Sequence, residues 1–133
     1  MFITNPSLPG QKKKVETVKK VIEKDLVYPL VRGRDVKKWY VKGDLGYTLL
    51  PVNGNGKTLS HSDLKVKYPE TYRYFSNFVE ELVNRGGEPY KTKLEPYRKK
   101  PFEEAERGAP PFYWLFNAEP SLAPYKLVWK RIS

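Results

Sequence analysis

The chain has 133 residues, 25 Lys plus Arg against 15 Asp plus Glu, a formal charge of +10, and no cysteine. That length suits one domain burying about two thirds of its unfolded surface. The absence of Cys excludes disulfides, thiolate metal sites and cysteine nucleophiles, while the charge surplus favours a polyanionic partner, nucleic acid before anionic membrane.

Residues 1–10 read as a turn-rich lead-in, because Pro6 and Pro9 restrict the backbone and Gly10 releases it. They lack the apolar run of a secretory signal, and no stretch approaches the roughly 20 apolar residues a membrane helix needs. A cytoplasmic protein with no membrane partner is expected. Over 11–24, Val15, Val18, Val21 and Ile22 recur among lysines, which predicts a basic amphipathic N-terminal helix.

A short strand is predicted at 26–31, where Pro29 suits an edge. Next comes Arg32-Gly33-Arg34-Asp35-Val36-Lys37-Lys38-Trp39, the segment densest in recognition-type residues. A second strand is predicted at 46–51, then a glycine-rich loop over 53–57. Gly56-Lys57-Thr58 matches the end of a phosphate-cradling motif, but Pro51 replaces its first glycine, so nucleotide cradling is a poor fit.

Leu59-Ser60-His61-Ser62-Asp63 reads as a solvated turn, with Ser62 or Asp63 capping the next segment. His61 is the only histidine, which leaves no metal set, and neighbours this close cannot form a hydrolase triad. The central amphipathic helix is predicted over 70–85, with Tyr72, Phe75, Phe78, Val79, Leu82 and Val83 as its apolar stripe and Gly86-Gly87 as its stop. Glu80-Glu81 and Glu103-Glu104-Glu106 have cations nearby and no apolar pocket, so no catalytic residue is assigned.

The stretch 88–109 reads as irregular chain or a short helix exposing Lys91, Lys93, Arg98, Lys99 and Lys100. Strands are predicted at 112–116 and 125–132. Ala109-Pro110-Pro111-Phe112 is similar to the tetrad that holds the target amine in amino-methyltransferases, but Ala109 has no acceptor. The overlapping Pro110-Pro111-Phe112-Tyr113 also matches a docking peptide, although it leads into an apolar run suited to burial. The fold class is mixed α/β or α+β, a single compact domain with short strands.

Three blocks then carry a family resemblance: Tyr28 through Trp39, Tyr68-Pro69-Glu70-Thr71-Tyr72, and Tyr125 through Ser133. Taken in order, they resemble the target-recognition region of the TaqI-like and Eco57I-like N6-adenine DNA methyltransferases, including fused restriction-modification enzymes. The resemblance implies a parent enzyme that transfers a methyl group from S-adenosylmethionine to adenine in duplex DNA. This chain would supply recognition over 11–133 after a lead-in at 1–10, partnered by double-stranded DNA and by a catalytic methyltransferase domain. No cofactor is expected in the chain itself, since it has no cofactor motif and Asn5-Pro6-Ser7-Leu8 departs from the catalytic tetrad.

The resemblance makes Gly33 a structural turn. The DNA-contact candidates are Arg32, Arg34, Lys37, Lys38, Lys57, Arg98 and Lys130, with arginine suited to guanine edges and lysine to phosphate. One rival reading is an RNA or single-strand binding module that stacks bases on Trp39, Tyr40, Phe112 or Tyr113. The other is a basic structural or protein-interaction domain.

Overall fold

The computed structural model describes residues 2–4, 16–30, 36–37, 40–41 and 46–122. Strand β1 (Phe2–Thr4) pairs antiparallel with β2 (Lys19–Val21), with Phe2 opposite Val21 and Thr4 opposite Lys19. The helix expected over 11–24 is therefore absent from 16–24, the described part of that range: residues 19–21 form a strand, and a 3-10 turn occupies Lys24–Leu26. Val18, Val21 and Ile22 explain the outcome. Branching at Cβ disfavours all three in a helix, and Val21 takes its place in the ladder opposite Phe2, so a strand partner overrides the local period. Ile22 and Leu26 go into the core.

The strands expected near 26–31 and 46–51 are present as β3 (Val27–Leu30) and β6 (Gly46–Leu49). They run antiparallel with Val27 opposite Leu49 and Leu30 opposite Gly46. Pro29 is tolerated because in a two-stranded ladder each strand is an edge. A third antiparallel ladder, β4 (Val36–Lys37) with β5 (Tyr40–Val41), is nested within the excursion from β3 to β6.

Helices come after the strands. In α1 (His61–Lys67) the cap is Ser60, whose Oγ accepts the Asp63 N–H at 3.2 Å, rather than Ser62 or Asp63. Asp63 adds a favourable charge to the first turn. The single helix expected over 70–85 is divided into α2 (Pro69–Ser76) and α3 (Val79–Val83). At the break, Asn77 Nδ2 donates to the Arg73 and Tyr74 carbonyls at 3.0 and 3.1 Å, and Phe78 N–H tightens onto Phe75 O at 2.9 Å. An asparagine amide competing for the preceding turn's carbonyls interrupts a helix in this way. Nor do the glycines stop α3 directly: Asn84 is its C-cap, and Gly87 takes a left-handed turn (φ 81°) further on.

The apolar side chains of this region are shared between two clusters. Tyr72, Phe75, Val79 and Val83 pack with Leu26, Leu64, Phe112 and Tyr113. Tyr74 and Phe78 pack instead with Ile22, beside Ile3, Val18, Val27 and Leu49, and Leu82 borders both groups.

Residues 88–109 contain α4 (Tyr90–Leu94), a 3-10 turn (Glu95–Tyr97) and α5 (Pro101–Glu106). The strand expected over 112–116 is not formed, and Trp114 N–H turns back to Pro111 O at 2.9 Å. Side chains replace ladder partners: Arg85 donates to the Phe112 and Trp114 carbonyls at 3.1 and 2.7 Å, and Thr58 Oγ1 bonds both Leu115 O and Leu115 N–H. The strand expected over 125–132 lies outside the described residues. Among the described residues the fold is α+β, with three two-stranded antiparallel ladders and five short α-helices. No helix there is long and apolar enough to cross a membrane.

Candidate nucleic-acid interface and cleft

Of the expected DNA contacts, Arg32, Arg34, Lys38 and Lys130, with the turn residue Gly33, lie outside the described residues. Lys37 occupies β4, with Tyr40 as its register partner. Lys57 is exposed at the end of the 53–57 turn, where Asn53 Oδ1 accepts the Asn55 and Lys57 N–H groups at 2.9 and 3.1 Å. Arg98, expected to be exposed, is half-buried after the 95–97 turn, and its Nε is covered without a hydrogen-bond partner among the described residues.

The charge surplus is unevenly distributed along the chain. Lys12, Lys13, Lys14, Arg32, Arg34, Lys38, Lys42, Lys126, Lys130 and Arg131 fall outside the described residues, against only Asp35 and Asp44. Among the described residues, carboxylates of the helices pair locally, as in Arg73–Glu70, Lys100–Glu103 and Arg107–Glu104.

A cleft of about 540 Å³ opens between the 55–61 turn and residues 105–119. Its apolar wall includes Leu59, Pro110, Pro111 and Trp114, and Asn55, Lys57, Asn117 and Glu119 supply polar side chains. Two close approaches hold its sides. Gly56 (φ 79°) lies so near Glu119 that a Cβ would fall on the Glu119 backbone, and Tyr113 Oη donates to Leu59 O at 2.8 Å. Asn117 adopts φ 52°, a left-handed conformation that asparagine tolerates better than most residues. Trp114 meets Tyr90 edge-on at 5.6 Å and Phe116 at 6.3 Å, while Lys93 Nζ lies 5.6 Å from the indole centre.

His61, expected in a solvated turn, is 4% exposed at the start of α1 and lines the cleft. Its Nε2 is 2.9 Å from Tyr72 Oη, the two rings stack at 5.3 Å, and Nδ1 has no partner among the described residues. Burial pushes the imidazole pKa below its ordinary value; Glu106 opposes that shift and Lys65 adds to it. The same burial raises the Tyr72 phenol. The described residues contain no cluster of metal-ligating side chains.

Sequence reasoning missed Trp114, Asn117 and Glu119 as a group. Trp114 sat inside a predicted strand, and the approach of Glu119 to Gly56 has no local sequence signal. Phe112 and Tyr113, candidate stacking platforms on the rival reading, are 1% and 2% exposed and serve the core. The same burial removes Pro110-Pro111-Phe112-Tyr113 from consideration as a docking peptide.

All strand pairing among the described residues is antiparallel, and no glycine-rich turn there leads from a parallel strand into a helix. No protein-family model, curated protein or solved structure matches the chain.

Proposed function

We infer that the chain binds duplex DNA and serves as the target-recognition part of an adenine-N6 DNA methyltransferase whose catalytic domain and S-adenosylmethionine site lie elsewhere. The observation that carries the binding is the concentration of cations in the sequence segment 31–45, which contains β4 and β5. Residues 31–45 contain Arg32, Arg34, Lys37, Lys38 and Lys42 against Asp35 and Asp44. A two-stranded ribbon is narrow enough for the major groove, where arginine forks read guanine and lysines hold the flanking phosphates. The methyltransferase assignment rests on the resemblance of the three sequence blocks.

Fluorescence anisotropy with a labelled duplex across a salt series tests the reading. Affinity is expected to fall steeply with salt, because each neutralised phosphate contributes a slope of about 0.9 in log-log form. Binding that is absent at low salt, or indifferent to salt, would favour the protein-interaction reading.

A further inference from the structure

We propose that the cleft between the 55–61 turn and residues 105–119 is a binding site for one unpaired nucleotide, its base against Trp114 and its phosphate at Lys57. The proposal goes beyond duplex recognition and does not depend on it. A cleft of about 540 Å³ falls in the range of small-ligand sites, and its wall of Trp114, Pro110 and Pro111 suits a flat aromatic group.

The polar groups narrow the ligand class. Among the described residues, the side chains of Asn55, Lys57, Asn117 and Glu119 have no hydrogen-bond or ion-pair partner. One ammonium attracts an anion, but the Glu119 carboxylate disfavours a bare anion and calls for a ligand that also presents N–H donors. A nucleotide combines these properties: a phosphate, a stacking face, and an edge whose donors and acceptors match amide and carboxylate side chains. In a paired base that edge is occupied, so the fitting nucleotide is unpaired.

Rigidity favours the same conclusion. The Gly56–Glu119 approach, the Thr58–Leu115 bonds and the Tyr113–Leu59 bond fix both walls independently of any ligand. A left-handed non-glycine residue at the rim, Asn117, is the kind of local strain that accumulates at binding sites.

The test uses the full chain and three probes: a paired duplex, the same duplex with one extrahelical 2-aminopurine, and free 2-aminopurine nucleoside monophosphate. The bulged duplex is expected to bind at least about ten-fold more tightly than the paired one, with quenched 2-aminopurine emission from stacking on indole. Trp114→Ala should abolish both effects. Because that ring also packs on Tyr90, two gentler variants accompany it: Asn55→Ala at an exposed position, and Asn117→Gly, which suits the left-handed backbone. Both should weaken the preference several-fold at unchanged melting temperature.

Quenching of the free monophosphate without preference for the bulge would identify a mononucleotide site. If the bulge preference appears while paired duplex does not bind, the duplex reading fails and this site stands. Equal affinity for both duplexes with no quenching of either 2-aminopurine probe overturns the proposal, as does a preference that survives all three substitutions.

Discussion

Glu23, which lies just after β2, satisfies the start of α2 from 47 residues away. Tyr68 at the N-cap offers no side-chain acceptor, and Glu23 receives the Glu70 N–H at 3.0 Å and the Thr71 N–H and Oγ1–H at 2.8 and 2.7 Å. Burial raises its pKa, but those bonds outweigh it and the net shift is downward. Glu23→Gln should therefore destabilise the fold by about 1 kcal/mol in urea unfolding at neutral pH. A carboxylate with a lowered folded pKa contributes stability above its unfolded value and loses it as pH falls through the folded value, so wild type and variant should converge in acid. His61 has the same sign through its own lowered pKa: stability is full above the ordinary imidazole value of about 6.5 and declines below it, and His61→Phe should flatten that decline in unfolding at pH 7 and pH 5. The turn that carries Lys57 was legible in the sequence because Asn53 and the glycines beside it act locally. Glu23 was not, because nothing within the sequence joins positions 23 and 70.

At the scale of elements, β3 and β6 were legible because short apolar runs bounded by turn residues have few alternatives. The 11–24 segment misled because valines three apart satisfy a helical period, while the deciding partner, β1, lay in a stretch dominated by prolines. The 112–116 run had strand composition, but Arg85, Thr58 and core burial of Phe112 and Tyr113 take up its polar and apolar groups without a ladder. Arg85 also donates through Nε to Leu82 O at 2.9 Å, so one guanidinium joins the end of α3 to this segment. Its burial lowers the arginine pKa, with Tyr90 opposing. Arg85→Lys keeps the charge but cannot span three carbonyls in a planar fork, and should destabilise by about 2 kcal/mol in chemical denaturation.

For the whole molecule, composition revealed how much positive charge there is but not how the fold divides it. In the sequence, 31–45 holds five cations against two carboxylates, and this sharpens the test of Arg32 and Arg34. In the complete parent enzyme, losing a base contact at either should remove about 1–3 kcal/mol of discrimination at one base pair, whereas losing a phosphate contact should weaken all sequences alike and lower the salt slope by about one unit. Titrating each folded Arg→Ala protein against cognate and singly mismatched duplexes at several salt concentrations separates these results, and unchanged behaviour in both would remove the segment from the interface. Calorimetric titration of the chain with S-adenosylmethionine should be flat, and a stoichiometric micromolar signal would contradict the proposed division of labour.

The pairing of Leu30 with Gly46 has a corollary for grafting. The excursion between them leaves and rejoins the protein at two adjacent points of one ladder, so its ends are already together whatever sequence lies between. Closing a longer or shorter loop there changes the free energy only logarithmically with length. On the proposed reading of 31–45 as the recognition segment, exchanging it by grafting should alter DNA preference while Val27 to Leu30 keep their register with Gly46 to Leu49.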